Sequence, residues 1–174
     1  MPDEVTERVC KRMYDQAMDL IHDSDFLAQS GKDRSSASAF LGILAFEILL
    51  KCVLRLCGTN VKLGHDYRSL WAELSNSLQQ NLLSQARTRL GWNPEVVGLE
   101  EVLDALSDAF VDGRYEYDIH KELNQQEFSQ IGKEWDGAPE AGDIAFYTLE
   151  RRSLIYALRL HIESQLGVCP DVLI

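Results

Sequence analysis

Apolar residues recur along this chain at intervals of three and four positions, the spacing that places them on one face of an α-helix. Breakers rich in Gly, Asn and Pro separate the segments that carry this pattern. Five helical regions are expected. The first covers 4–28, and the second begins at a cap formed by Asp33 or Ser35 and ends at Leu56. The third covers 65–90, as a straight or a bent helix, and the last two cover 99–117 and 143–166. The polar stretch 121–142 is expected to be a long loop. No alternation typical of β-strands is present, so the sequence predicts an all-α, antiparallel four- to five-helix bundle.

The second predicted helix is strongly apolar but carries a line of charge. Its segment AFLGILAFEILLKCVLR, residues 39–55, is interrupted only by Glu47, Lys51 and Arg55, which are four positions apart. This spacing places all three on one helical face. Because a helix so hydrophobic is buried on most sides, the charged line is expected to face solvent or a polar groove. An ion pair within the helix is the simplest interpretation of Glu47 and Lys51, and the positioning of Arg114 is the alternative.

Composition narrows the class of protein. A chain of 174 residues suits a single domain over 1–174, and 45% hydrophobic with 26% charged residues is typical of a soluble globular protein. The longest unbroken apolar run, 39–46, is too short to span a bilayer, and the N-terminus is unlike a secretory signal. We therefore expect a cytoplasmic protein that does not contact a membrane. The net charge of −11 argues against a broad nucleic-acid surface, so any RNA contact must be local.

Cofactor and metal chemistry finds little support in the sequence. The four cysteines are scattered, and we expect reduced, buried thiols rather than disulfides or zinc ligands. Glu-x-x-His pairs of the di-iron bundles are absent, as are the familiar phosphate-loop, dinucleotide, zinc-protease and hydrolase motifs. We expect no metal and no cofactor.

Three sequence blocks together resemble the HEPN superfamily of helical bundles. They are AFLGILAFEILLKCVLR at 39–55, GHDYRSLW at 64–71 and FVDGRYEYD at 110–118, in the order and spacing associated with that family. The resemblance implies a HEPN-like homodimeric module for interaction or for nucleotide or RNA binding, in a prokaryotic conflict or toxin–antitoxin type system. The partners it implies are a second copy of the chain, a protein such as a nucleotidyltransferase, and RNA or a nucleotide.

The resemblance also suggests which side chains bind. These candidates lie in the three blocks: Glu47, Lys51, His65, Asp66, Tyr115 and Tyr117. For His65 and Asp66 a simpler interpretation is the start of a helix, where Asp66 meets the positive end of the helix dipole.

A metal-independent endoribonuclease is the alternative function. Catalytic members of the superfamily resemble one another in an arginine followed a few residues later by a histidine, and they cut RNA at a dimer interface. This chain offers Arg114 and His120. Histidine moves protons near neutral pH, and arginine holds the scissile phosphate and stabilises charge that develops on it. The implied reaction is attack of the ribose 2′-hydroxyl on its neighbouring phosphate.

Two features depart from the nuclease pattern. Tyr115 occupies the position directly after the arginine, where nuclease members carry a small polar residue. Six residues also rotate a regular helix by about 240°, so Arg114 and His120 converge only if the helix bends or a second subunit contributes.

Overall fold

The computed structural model describes residues 3–29, 36–59, 61, 64–90, 92, 97–112 and 147–168. Within these ranges the chain is an all-α helical bundle without a strand, which confirms the expected fold class. The helices are α1 (Glu4–Gln29), α2 (Ser36–Leu56), α3 (Tyr67–Ala72), α4 (Asn76–Leu90), α5 (Leu99–Asp112) and α6 (Thr148–Leu166).

Helix α2 is the centre of the bundle. It packs against α1, α3, α5 and α6, while α4 packs on α6 and α3 on α5. Its large buried apolar side chains are Ile43, Phe46, Leu49, Leu50, Val53 and Leu54. By length and composition alone, Ala37–Leu56 would pass as a membrane span. Of this apolar span, 56% is buried inside the bundle, as is typical of a core helix, and the cytoplasmic location stays a prediction.

Helix α2 ends in a tight C-terminal cap. Gly58 has φ +78°, in the left-handed region that glycine adopts without steric cost. Its N–H donates to the carbonyl of Arg55, and the N–H of Thr59 donates to the carbonyl of Leu54. These two bonds satisfy carbonyls that the last turn would otherwise leave unpaired. The predicted end at Leu56 is therefore confirmed, whereas both predicted caps, Asp33 and Ser35, lie outside the described residues.

The region expected to be one helix over 65–90 is two helices. The chain leaves helical geometry after Ala72 and resumes at Asn76. The side-chain amide of Gln79 donates to the carbonyls of Trp71 and Leu74, at 3.1 and 2.9 Å. The apolar stripe continues through the break, so periodicity alone does not reveal it.

Helices α5 and α6 bury most of the faces expected from their spacing. Val102, Leu103, Leu106 and Phe110 are buried in α5, and α6 buries the apolar residues Leu154, Ile155, Leu158 and Ile162. The same apolar spacing predicts Leu149 in the core, but Leu149 lies in the first turn of α6 with 45% of its surface exposed. The predicted loop 121–142, the expected end of the fourth helical region and the expected start of the fifth lie in 113–146, outside the described residues.

The cysteines differ in how far they are buried. Cys10 and Cys52 are buried and reduced, and the thiol of Cys52 donates to the carbonyl of Cys10 at 3.5 Å. The prediction of buried thiols is wrong for Cys57, which lies at the exposed end of α2, while Cys169 is outside the described residues.

Candidate functional site

A buried carboxylate on α2 gathers polar side chains from two parts of the chain. One oxygen of Glu47, Oε1, accepts a hydrogen bond from Lys51 Nζ at 2.7 Å. The other, Oε2, lies 2.8 Å from His65 Nδ1 and accepts a hydrogen bond from the hydroxyl of Tyr67 at 2.8 Å. We call Glu47, Lys51, His65 and Tyr67 the Glu47 cluster.

Local structure explains why these residues meet. Glu47 and Lys51 are one helical turn apart on α2, so their side chains lie side by side. Lys51 Nζ also donates to the carbonyl of Gly64, at 2.9 Å, and so ties α2 to the residues that precede α3. The φ of Gly64 is +140°, a conformation that favours glycine. The chain then turns so that the next residue, His65, lies beside Glu47.

Asp66 has a different role from its neighbours. Its carboxylate accepts hydrogen bonds from the backbone N–H and the hydroxyl of Ser69, at 2.9 and 2.6 Å. These bonds lower the pKa of Asp66 below its usual value. Asp66 is thus the N-cap of α3, and this confirms the simpler of the two interpretations for that residue.

The environment of Glu47 favours its ionised form. Its residue surface is only 6% exposed, and this burial by itself raises the pKa. The hydrogen bonds from Lys51, His65 and Tyr67 outweigh burial, so the pKa of Glu47 lies below its usual value. An ionised carboxylate accepts hydrogen bonds and donates none, so the Nδ1 of His65 must carry the proton in their contact.

Glu47 engages only one of the two ring nitrogens of His65. Among the described residues, no group forms a hydrogen bond with Nε2, and 38% of the side chain is exposed. A carboxylate that holds Nδ1–H fixes both the tautomer and the orientation of an imidazole. His65 therefore presents Nε2 at the edge of the bundle in one defined orientation.

Aromatic rings connect the Glu47 cluster to the end of α5. The ring of His65 lies 4.2 Å from that of Phe110, and Phe110 stacks on Phe40 of α2 at 5.1 Å. Tyr67 makes edge contacts with Phe46 and Phe110. The N–H of Tyr67 also donates to the hydroxyl of Ser107 on α5. The cluster is held on three sides by α2, α3 and α5.

The predicted site residues thus have different outcomes. Glu47, Lys51 and His65 come together, whereas Asp66 adjoins them but uses its carboxylate as a cap. The charged line of α2 runs from buried Glu47 through half-buried Lys51 to exposed Arg55. The remaining candidates, Arg114, Tyr115, Tyr117 and His120, lie outside the described residues.

Tyr67 and Phe110 also belong to this site, although they were not among the binding residues expected from the HEPN-like blocks that contain them. Tyr67 is fully buried, yet its hydroxyl needs a hydrogen-bond partner, which Glu47 supplies. The position of Tyr67 directly after His65 and Asp66 is the one sequence feature that could have indicated its place in the site. Phe110 gave no such signal, because its contact with His65 depends on tertiary packing.

The cluster combines a hydrogen-bonding imidazole with a lysine that has one ammonium hydrogen left. Lys51 uses two of its three donors, on Glu47 and Gly64, and 17% of its side chain is exposed. These groups suit an anionic or hydroxyl-bearing ligand. In the part of the chain that the structure describes, no group of three His, Cys, Asp or Glu residues is arranged to hold a metal ion.

Comparison of the chain with protein-family models, with curated proteins and with solved structures found no match.

Proposed function

We propose that this chain is a HEPN-like homodimeric module that binds RNA or a nucleotide at the Glu47 cluster, in a prokaryotic conflict or toxin–antitoxin type system. The observation that carries the proposal is that described residues from each of the three HEPN-like blocks come together at one place. Glu47 and Lys51 come from the first block, His65 and Tyr67 from the second, and Phe110 from the third. Bundle packing alone does not require a polar centre at this junction.

The chemistry of the cluster fits a phosphate or ribose group. Nε2 of His65 hydrogen-bonds a hydroxyl when neutral and donates to a phosphate oxygen when protonated. The remaining N–H of Lys51 supplies a second donor beside it. With a net charge of −11, the chain has little general attraction for a polyanion, so binding depends on such local contacts.

A binding experiment with matched histidine variants tests this proposal. The probe is a fluorescently labelled single-stranded oligoribonucleotide, titrated at fixed salt and followed by fluorescence anisotropy, with adenosine monophosphate as competitor. We expect His65→Ala to weaken binding about tenfold, equivalent to roughly 1.4 kcal/mol. His22→Ala is the control, because the side chain of His22 is largely exposed on α1 and its one ion-pair partner among the described residues is its neighbour Asp23. Equal affinities of the two variants and wild type would refute the assignment.

The endoribonuclease that uses Arg114 and His120 is the second candidate. The pair of Glu47 and His65 favours it, because an imidazole held in one tautomer by a carboxylate is suited to exchange a proton. Arg114 follows Phe110, the ring that contacts His65, by four positions in the sequence.

Cleavage assays in EDTA separate the two candidates. If the chain is a nuclease, Arg114→Ala and His120→Ala should each slow cleavage about a hundredfold or more, with the helical signal retained. Wild-type protein that binds RNA and leaves single-stranded and structured RNAs uncut would exclude the nuclease and retain the binding module. Cleavage that survives both substitutions would exclude the Arg114–His120 assignment.

A further inference from the structure

A buried arginine crosses α2 on a different side from the Glu47 cluster. Arg151, in the first turn of α6, is 4% exposed, and its Nη1 donates to the carbonyl of Ala39 at 3.1 Å. Its guanidinium lies directly over Gly42, where an added Cβ would come within 3.0 Å of Cζ, Nε and Nη2. Gly42 and Glu47 are five positions apart, so they point about 140° from one another around α2.

Two donor groups of this guanidinium have no acceptor among the described residues. Nε is buried without a partner, and no described group accepts a hydrogen bond from Nη2. No carboxylate in the described ranges forms an ion pair with Arg151. Burial lowers the pKa of Arg151 to about 10, which still leaves it charged at neutral pH. A buried charge without a counter-ion is unfavourable, so the presence of an unpaired arginine at this position needs a physical reason.

A pocket lies beside this arginine. Its volume is about 230 Å³, and its lining includes Arg151, Arg152, Arg159 and Asp25. Arg152 forms an ion pair with Asp25 across the rim, and Arg159 donates to Glu163 at 2.5 Å. The lining therefore carries three positive charges and one negative charge. With Glu163 beside Arg159 included, the two ion pairs cancel and the remaining positive charge is that of Arg151, in a chain whose net charge is −11.

We propose that this Arg151 pocket binds a phosphate group, either as inorganic phosphate or as the phosphomonoester of a small molecule. The Nε and Nη2 donors form the edge of a guanidinium that holds two oxygens of a phosphate at once. The bound anion would supply the counter-charge that Arg151 lacks and satisfy the buried Nε. Arg152 also lines the pocket, and it would contact the same anion by giving up its hydrogen bond to Asp25.

Calorimetric titration of the full chain with inorganic phosphate and with ribose 5-phosphate tests the proposal and distinguishes the two sources. Ionic strength is held constant with chloride. We expect saturable binding by wild type and an affinity at least tenfold lower for Arg152→Gln and Arg151→Lys. The matched control is Arg68→Gln, because Arg68 pairs with Glu100 and Asp104 on another part of the surface. Its affinity should match that of wild type.

Tighter binding of one probe identifies the source of the phosphate. The proposal is wrong if wild type gives no saturable heat of binding beyond that of a chloride titration. It is also wrong if Arg152→Gln binds the phosphate probes as tightly as wild type. Arg152 is half-exposed, so its replacement does not disturb the core and the result stays decisive even if Arg151→Lys fails to fold.

Discussion

Glu47 accepts hydrogen bonds from a lysine, a histidine and a tyrosine while its side chain is almost sealed from water. We predict that Glu47→Leu lowers the free energy of unfolding by about 3 kcal/mol, because it leaves Lys51 and the hydroxyl of Tyr67 without their acceptor. Chemical denaturation measures this change. Glu7→Leu, on the exposed face of α1, is the control and should change stability by less than about 1 kcal/mol. Equal, small changes in both variants would show that the cluster is open to water.

The lowered pKa of Glu47 gives stability a dependence on pH. A carboxyl group with a lower pKa in the folded state contributes its stability fully above the unfolded pKa, and loses it as pH falls through the folded pKa. We therefore expect wild type to lose stability from about pH 5 downward, and Glu47→Gln to lose less over the same range. Unfolding free energies at pH 7, 5, 4 and 3 provide the test. If the unfolding free energies of wild type and Glu47→Gln fall by the same amount between pH 7 and pH 3, Glu47 is not the cause of the pH dependence.

Single residues were predictable where their role is local. The ion pair of Glu47 and Lys51 follows from a spacing of four, and the cap at Asp66 follows from its place before an apolar helical stripe. The contact of Glu47 with Tyr67 and the position of Arg151 over Gly42 join residues far apart in the chain. Periodicity within one helix carries no information about such contacts.

At the scale of elements, the side chain of Gln79 links α4 to the end of α3. Gln79 donates to two carbonyls at the end of α3, and we predict that Gln79→Ala lowers the free energy of unfolding by about 1–2 kcal/mol. Gln80→Ala is the control, since Gln80 is exposed on the same helix and should change stability by less than about 0.5 kcal/mol. Thermal unfolding compares the two. If Gln80→Ala is as destabilising as Gln79→Ala, the hydrogen bonds from Gln79 to the two carbonyls are not what stabilises the junction, because alanine is itself a better helix former than glutamine.

Helix positions followed from apolar spacing, but interruptions did not. The ends of α1 and α2 agree with the predicted ranges to within one residue, because long periodic segments stop at clear breakers. The break between Ala72 and Asn76 was hidden because Trp71, Leu74 and Leu78 keep helical spacing through it. Leu149 fits the apolar period of α6, yet its turn lies at the edge of the bundle, where period alone does not determine burial.

At the scale of the whole molecule, the proposed function requires a second copy of the chain. We predict a homodimer whose interface includes α5 and the Glu47–Arg55 line, with the exposed Val111 at the end of α5. Val111→Glu should then shift the sedimentation coefficient from dimer to monomer at micromolar concentration, because it buries a charge in the interface. Val5→Glu is the control, on an equally exposed valine of α1. A monomeric wild type would contradict the proposal of a homodimeric module.

The most direct test of the central claim observes His65 itself during RNA binding. The side-chain resonances of the four histidines are followed by NMR while unlabelled single-stranded oligoribonucleotide is added, with His65 assigned from the spectrum of His65→Gln. If Nε2 of His65 contacts the ligand, its imidazole resonance should shift saturably with the dissociation constant measured by anisotropy, while that of exposed His22 stays unchanged. An unmoved His65 resonance in RNA-saturated protein would contradict binding at the Glu47 cluster.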